Sequence, residues 1–118
     1  WYRKAADQGS VKAQYNLGKF YRDGKGVARD LATSVQWFQR AAEQGHMRAQ
    51  SRLGTRYARG EGVVRDDVAA LMWTLLAARA GEAAAGENAK ALRQRMTPAQ
   101  VSEAESRSAT WTAKRRSN

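Results

Sequence analysis

Several residue types are scarce or absent in this chain of 118 residues, and each gap excludes a class of chemistry. The chain has no cysteine, so a disulfide framework and thiolate chemistry are excluded. A single histidine, His46, leaves no set of nitrogen and sulfur ligands for a metal, and we expect no metal site. One proline, with glycines grouped at regular intervals, argues against an internal linker, so we expect one domain.

Acidic residues are also in short supply. The chain carries 21 lysines and arginines against 11 aspartates and glutamates, which gives a formal net charge of +10 and a pI near 10.7. This balance favours an acidic partner, such as nucleic acid, anionic lipid headgroups, a cell-wall polymer or an acidic protein face, without choosing among them.

Long apolar runs are missing as well. The longest, Val68 to Ala78, carries Thr74 within it and is much shorter than the roughly 20 residues of a membrane span. The sequence therefore predicts a buried helix here and no membrane span. The compartment stays open, because a bacterial cytoplasmic protein and a disulfide-free periplasmic one both fit this composition.

What the chain does contain is an internal repeat. The segment Leu17 to Asp30 recurs at Leu53 to Asp66 with the shared pattern Leu-Gly-x-x-Tyr-x-x-Gly-x-Gly-Val-x-Arg-Asp. The same interval of 36 residues separates three tryptophans, three alanine pairs and three glycines: Trp1, Trp37 and Trp73; Ala5-Ala6, Ala41-Ala42 and Ala77-Ala78; Gly9, Gly45 and Gly81. A period of this size predicts stacked antiparallel helix hairpins.

The repeat predicts the order of the helices along a single domain, residues 1–118. Residues 1–9 are expected to form the second helix of a truncated repeat, 10–45 and 46–81 full repeats, and 82–118 C-terminal cap helices with a basic tail. The predicted helices within the full repeats run over 11–23, 31–44, 47–59 and 66–80, capped by Ser10 and Asp30 and by their equivalents. Because the chain begins inside a repeat, we expect further repeats before Trp1.

After Gly81 the period is lost, since Ala89, Lys90 and Arg93 stand where Leu, Gly and Tyr would fall. We predict a terminal cap of two helices, from about residue 83 to 95 and from Thr97 to about residue 114. The second begins with a capping box, because a glutamine stands three residues after Thr97 and a proline occupies the first helical position.

The repeated pattern, followed by Trp, Ala-Ala and a closing Gly, resembles the Sel1-like repeat (SLR) family, a relative of the tetratricopeptide repeat. The segment Met96-Thr97-Pro98-Ala99-Gln100 is similar to the ending of many bacterial members. The resemblance implies an all-α, right-handed α-solenoid that serves as an adaptor for protein complexes, usually without catalysis. Two features depart from the family: the third unit lacks the Leu-Gly-Tyr core, and the cysteines of the disulfide-rich secreted members are absent.

The first helix of each hairpin lines the concave groove in tetratricopeptide-like arrays. At 100° per residue, Arg48, Arg52 and Arg59 share one stripe opposite the apolar face. Arginine offers a planar fork of donors for carboxylates, and asparagine can bond a peptide backbone. The predicted site takes an acidic or carboxylate-ended peptide and comprises Lys12, Tyr15, Asn16, Lys19, Arg48, Arg52, Thr55, Arg56 and Arg59. Such a stripe is equally typical of a solvated face, and Tyr15 and Phe20 are either core residues or exposed contacts.

No catalytic constellation is apparent, and we expect neither enzymatic activity nor a cofactor. Asp66-Asp67 is the closest carboxylate pair, yet Asp66 repeats Asp30 as a helix cap. His46 is expected to be a surface or capping residue, because it stands at the position of Ser10 in the next repeat.

Two function hypotheses follow. The first is a protein-interaction scaffold with a basic concave groove. The alternative is a binding module for an anionic polymer, nucleic acid or envelope glycan, that uses the general positive surface and the tail Lys114-Arg115-Arg116. Self-association through an apolar edge at Trp1 and Tyr2 is a further prediction.

Overall fold

The structure, a computed structural model, describes residues 2–24 and 29–111. These residues form helices and no strands, which confirms the predicted all-α solenoid. The helices within the described ranges are α1 (Tyr2–Asp7), α2 (Val11–Asp23), α3 (Leu31–Glu43), α4 (Met47–Arg59), α5 (Asp67–Arg79), α6 (Ala85–Gln94) and α7 (Pro98–Thr110). Predictions that involve Trp1, the Tyr2 side chain or the tail Lys114-Arg115-Arg116 lie outside the described residues.

The helices pair into hairpins, α2 with α3 and α4 with α5. Each of these four helices begins at a residue whose side chain accepts a backbone hydrogen bond. Ser10 accepts from the Ala13 N–H at 3.3 Å, and Asp66 accepts from the Ala69 N–H at 3.1 Å. Asp30 and His46 make the equivalent bonds at the starts of α3 and α4. The predicted caps of all four helices are confirmed.

Glycine ends the second helix of each unit and turns the chain into the next one. Gly9, Gly45 and Gly81 have φ of 94°, 91° and 102°, a left-handed conformation that side chains with a Cβ rarely adopt. The following residue in each case donates its N–H to the carbonyl five residues back, at 3.0 to 3.1 Å, as in a Schellman motif. The repeated glycines therefore fix the angle at which successive hairpins stack.

Within a hairpin, a helical glycine brings the two helices close together. A Cβ built on Gly18 would lie 2.6 Å from a ring carbon of Phe38, which is fully buried. A Cβ on Gly54 would lie 2.5 Å from Oγ1 of Thr74. Glycine costs about 1 kcal/mol inside a helix relative to alanine, and the close packing of its partner helix offsets that cost.

A pair of buried glutamines joins neighbouring units, a feature that the sequence analysis did not identify. Gln14 donates from Nε2 to the Ala6 carbonyl at 3.0 Å, and Gln50 donates to the Ala42 carbonyl at 3.2 Å. Both side chains are almost fully buried, so these bonds satisfy amides that would otherwise be costly. The equivalent place in the third unit is Gly86, where the repeat has ended.

The C-terminal helices cover the second hairpin. Helix α5 packs against α4, α6 and α7, which explains why its apolar residues surround most of its circumference. Helix α6 covers a shorter range than predicted, and α7 ends at Thr110, because Trp111 adopts extended backbone with ψ of 140°. This conformation places the Trp111 ring edge-on to Trp73, with centroids 5.9 Å apart.

Candidate functional site

The first helices of the hairpins line two adjoining depressions between α2 and α4. The aromatic recess has a volume of about 460 Å³ and is lined by Lys12, Tyr15, Asn16, Lys19, His46, Met47 and Arg48. The basic recess has a volume of about 360 Å³ and is lined by Tyr15, Lys19, Arg22, Arg48, Ser51, Arg52 and Glu82. Because the two share Tyr15, Lys19 and Arg48, the structure brings most of the predicted site residues onto one continuous surface.

Tyr15 forms the floor that the two recesses share. It belongs to the hydrophobic core, with 6% of its surface exposed, so of the alternatives that the sequence left open it is a buried residue. Its ring stacks on His46 with centroids 4.5 Å apart, and Nζ of Lys19 lies 5.0 Å from the ring centroid. The buried Tyr15 ring therefore backs the aromatic recess, and His46 is the more exposed member of the stacked pair.

His46 is the cap of α4 and also lines the aromatic recess. Its Nδ1 accepts the Ala49 N–H at 3.1 Å. Burial, followed by the charges of Arg48 and Lys19, lowers the pKa of His46 below its ordinary value, so the neutral ring that can accept this bond is favoured. The sequence predicted the cap but not the position in the recess.

The cations of the recesses are largely unpaired. Lys12, Arg48 and Arg52 are exposed and form no salt bridge with any described carboxylate. Arg22 is the exception, since its guanidinium bonds both carboxylate oxygens of Asp23, at 2.9 and 3.1 Å. Uncompensated positive charge in a partly enclosed cleft attracts anions more strongly than the same charge on a flat surface.

Arg56, which was predicted to flank the stripe, lies elsewhere. Its side chain is 12% exposed, and its Nη1 is 3.2 Å from Oε1 of Glu61, although the two are not aligned as a hydrogen bond. Desolvation is the main cause that lowers the pKa of this guanidinium, and the nearby charges of Arg59, Arg22 and Arg52 lower it further. Arg56 is therefore largely buried and lines neither the aromatic nor the basic recess.

Two further predicted residues line a third depression, between α4 and α6. Thr55 and Arg59 lie there beside Asn88, Leu92 and Arg95, around a volume of about 260 Å³. The Thr55 hydroxyl donates to the Ser51 carbonyl at 3.1 Å, whereas Arg59 is exposed. This depression shares no lining residue with the aromatic or the basic recess, so the predicted stripe is divided between separate depressions.

Glu82 is the one carboxylate among the described residues that line the basic recess, and the sequence analysis did not identify it. It stands 36 residues after His46 and 72 after Ser10, both of which cap helices. Glu82 does not: α6 begins at Ala85 with no side-chain cap. Its Oε2 is buried and lacks a hydrogen-bond partner among the described residues. The departure from the repeat was a signal that comparison of equivalent positions could have revealed.

Within 2–24 and 29–111, no group of three or more His, Cys, Asp or Glu side chains is arranged to hold a metal ion. None of the helices there combines the length and apolar character needed to cross a membrane.

Comparisons with known proteins agree with the repeat pattern. The family model described as Sel1 repeat matches residues 1–10, 11–46 and 48–82. A crystal structure of a protective antigen present in uropathogenic Escherichia coli strains, which displays an SLR fold, is 38% identical and has a TM-score of 0.89 over 94% of this chain. A Sel1 repeat protein from Oxalobacter formigenes is 36% identical with a TM-score of 0.78 over 80% of the chain.

The chain spans only 24% of the length of the Escherichia coli antigen and 39% of that of the Oxalobacter protein. The search of curated proteins gave no match.

Proposed function

Because the chain belongs to the Sel1 repeat family, whose proteins are generally protein-interaction scaffolds, we propose that it is a non-catalytic adaptor. Its ligand is an acidic or carboxylate-ended segment of a partner protein, bound in the groove between α2 and α4. The proposed adaptor unit is the single repeat domain 1–118.

The observation that carries this proposal is the set of unpaired cations around the two recesses. Arg48 and Arg52 lie one helical turn apart on the exposed face of α4, and Lys19 faces them from α2. A carboxylate between the helices would receive charge-assisted hydrogen bonds from these donors. With no described carboxylate paired to Arg48 or Arg52, a ligand would not have to displace an existing salt bridge.

The aromatic recess supports a peptide in preference to a bare anion. Its floor is the stacked pair Tyr15 and His46, and Met47 adds a flexible apolar wall. Asn16 stands at the same recess with an amide that can both donate to and accept from a peptide backbone. An apolar side chain next to an acidic residue would fill both recesses at once.

A pull-down from the native source at physiological salt tests the proposal. The bait proteins are the wild-type chain, the Arg48→Glu/Arg52→Glu variant, and Lys90→Glu as a control, since Lys90 is an exposed lysine of α6 that lines none of the three depressions. We expect a partner protein that binds the wild type and the Lys90 variant but not the double variant.

Two outcomes would contradict the proposal. An identical set of proteins on all three baits would make the arginine stripe a solvated face. Loss of all bound protein after nuclease treatment would favour the alternative, in which the positive surface binds nucleic acid.

A further inference from the structure

Glu82 places a negative charge in the basic recess, which we propose binds an anionic ligand. The basic recess is lined by Lys19, Arg22, Arg48 and Arg52, and Glu82 forms no salt bridge with any of them. A carboxylate in this place weakens the attraction of the recess for any anion. Its presence therefore needs a role that offsets the loss.

We propose that Glu82 is the residue that makes the groove selective for a peptide, because its carboxylate accepts a hydrogen bond from a backbone N–H of the bound acidic segment. This inference rests on the proposed function and names the feature of the ligand that the groove recognises. The ligand is an anion with an adjacent hydrogen-bond donor, which a peptide provides and a phosphodiester backbone does not.

The first support is the orientation of the side chain relative to its repeat equivalents. Ser10 and His46 turn their side chains to the first turn of the following helix, where they accept the N–H groups of Ala13 and Ala49. Glu82 contributes to the next helix only through its backbone carbonyl, which accepts the Ala85 N–H at 3.3 Å. The side chain is left to line the recess.

The second support is the unused acceptor. Oε2 of Glu82 is buried from solvent and has no hydrogen-bond partner among the described residues, a state that carries a desolvation penalty. A turn of the side chain into the recess that it lines would let a donor on the ligand bond this oxygen and would remove that penalty. The cations cannot be that donor in the observed arrangement, since none of them forms an ion pair with Glu82 within the described residues.

The third support is charge. In a peptide, the N–H of an acidic residue lies a few bonds from its carboxylate, so Arg48 and Arg52 can hold the carboxylate while Glu82 receives the N–H. The sugar–phosphate backbone of DNA presents phosphate oxygens, which only accept hydrogen bonds, and Glu82 repels them. The same carboxylate thus strengthens binding of one ligand class and weakens binding of the other.

Binding measured by fluorescence anisotropy tests this proposal. The probes are a labelled peptide with glutamates in a serine background, the same peptide with each glutamate in turn methylated on its backbone nitrogen, and a labelled thymidine oligonucleotide. The proteins are the wild type, Glu82→Ala, Glu82→Gln, and Glu87→Ala. Glu87 is an exposed carboxylate of α6 that lines none of the depressions. Glu87→Ala is the control because it changes the net charge by the same amount as Glu82→Ala.

We expect methylation of one glutamate nitrogen to weaken peptide binding to the wild type and to Glu87→Ala by about tenfold, as for loss of a charge-assisted hydrogen bond. Glu82→Gln keeps an acceptor and should retain part of this sensitivity, whereas Glu82→Ala should lose it. The oligonucleotide should bind both Glu82 variants more tightly than the wild type and Glu87→Ala.

If methylation weakens peptide binding equally in the wild type and in Glu82→Ala, the proposed role of Glu82 is wrong and the proposed function stays in place. Failure of the wild type to bind any of the acidic peptides would overturn both the role of Glu82 and the proposed function.

Discussion

The imidazole of His46 stacks on the ring of Tyr15, with centroids 4.5 Å apart, while its Nδ1 accepts the N–H of the first turn of α4. One side chain therefore starts a helix, covers a core aromatic and forms part of the wall of the aromatic recess. Serine performs only the first of these roles in the preceding repeat. The pairing couples the stability of the second hairpin to the surface that we propose binds the partner.

Acid should destabilise the fold through His46. Burial lowers the pKa of His46 in the folded state, so the unfolded chain takes up the proton first. The contribution of the neutral ring is complete above the ordinary value of about 6.5 and is lost as the pH falls below it. Thermal unfolding followed by circular dichroism should give a lower melting temperature at about pH 5.5 than at about pH 7.5.

His46→Ser supplies the control for this pH dependence, because Ser10 caps α2 with the same geometry. Its melting temperature should change less between the two pH values than that of the wild type. Aspartates with lowered pKa, such as Asp67, titrate at more acidic pH and affect both proteins alike. An equal fall in the two proteins would show that His46 is not the titrating group.

A methyl group added at Gly18 should destabilise the fold, whereas one added at Gly86 should stabilise it. The Gly18 Cβ would meet ring carbons of buried Phe38 at 2.6 and 2.7 Å, and we expect Gly18→Ala to lower the free energy of unfolding by about 1–3 kcal/mol. Gly86 is helical with nothing within 4 Å of the added Cβ, so Gly86→Ala should raise it by up to about 1 kcal/mol. Urea denaturation measures both changes in the free energy of unfolding. If Gly18→Ala is as stable as the wild type, the two helices of the hairpin can move apart without a loss of stability.

Removing one arginine of the stripe should improve stability while it weakens binding. Burial is the main cause that lowers the pKa of Arg56, whose side chain is 12% exposed, and the positive charge of Arg52 lowers it further, so Arg52→Gln relieves part of the repulsion. Because Arg52 is exposed, we expect an increase of no more than about 0.5 kcal/mol in the free energy of unfolding. Affinity for an acidic peptide should fall in the same variant. A change in stability without a change in affinity would identify the stripe as a solvated face.

The repeat made most of the fold predictable, because each unit carries its own start and stop signals. The caps Ser10 and Asp30, and the glycines that follow each second helix, gave boundaries within a residue or two of those observed. The C-terminal cap was less accurate. Periodicity cannot show that Trp111 leaves the helix to pack on Trp73, because that choice depends on contacts distant in sequence.

The candidate site was predictable only in part. Helical geometry placed Lys12 of α2 and Arg48 and Arg52 of α4 on the groove side of their helices. It could not show that Arg56 would be buried against Glu61. Nor could it bring Arg22 and Glu82 into the basic recess, since Glu82 reaches that recess from the turn before α6. Comparison of Glu82 with Ser10 and His46 reveals the departure from the repeat, but only the folded structure shows that Glu82 lines the basic recess.

Trp111 should hold the C-terminal cap on the second hairpin. Its half-buried ring packs edge-on to Trp73 and against the core cluster that contains Phe38 and Leu53. Trp111→Ala leaves a space at this seam, and we expect the free energy of unfolding to fall by about 2 kcal/mol, less than for a fully buried tryptophan. Trp111→Phe should recover much of the loss because an aromatic ring remains.

Thr110→Ala is the matched control, since the Thr110 hydroxyl bonds only carbonyls of its own helix. Urea denaturation followed by tryptophan fluorescence and by circular dichroism would report both the seam and the helices. If Trp111→Ala unfolds at the same urea concentration as Thr110→Ala, the cap is held by the packing of α6 and α7 on α5 and by polar contacts such as the Arg79 guanidinium, which donates to the Ser108 carbonyl at 3.1 Å.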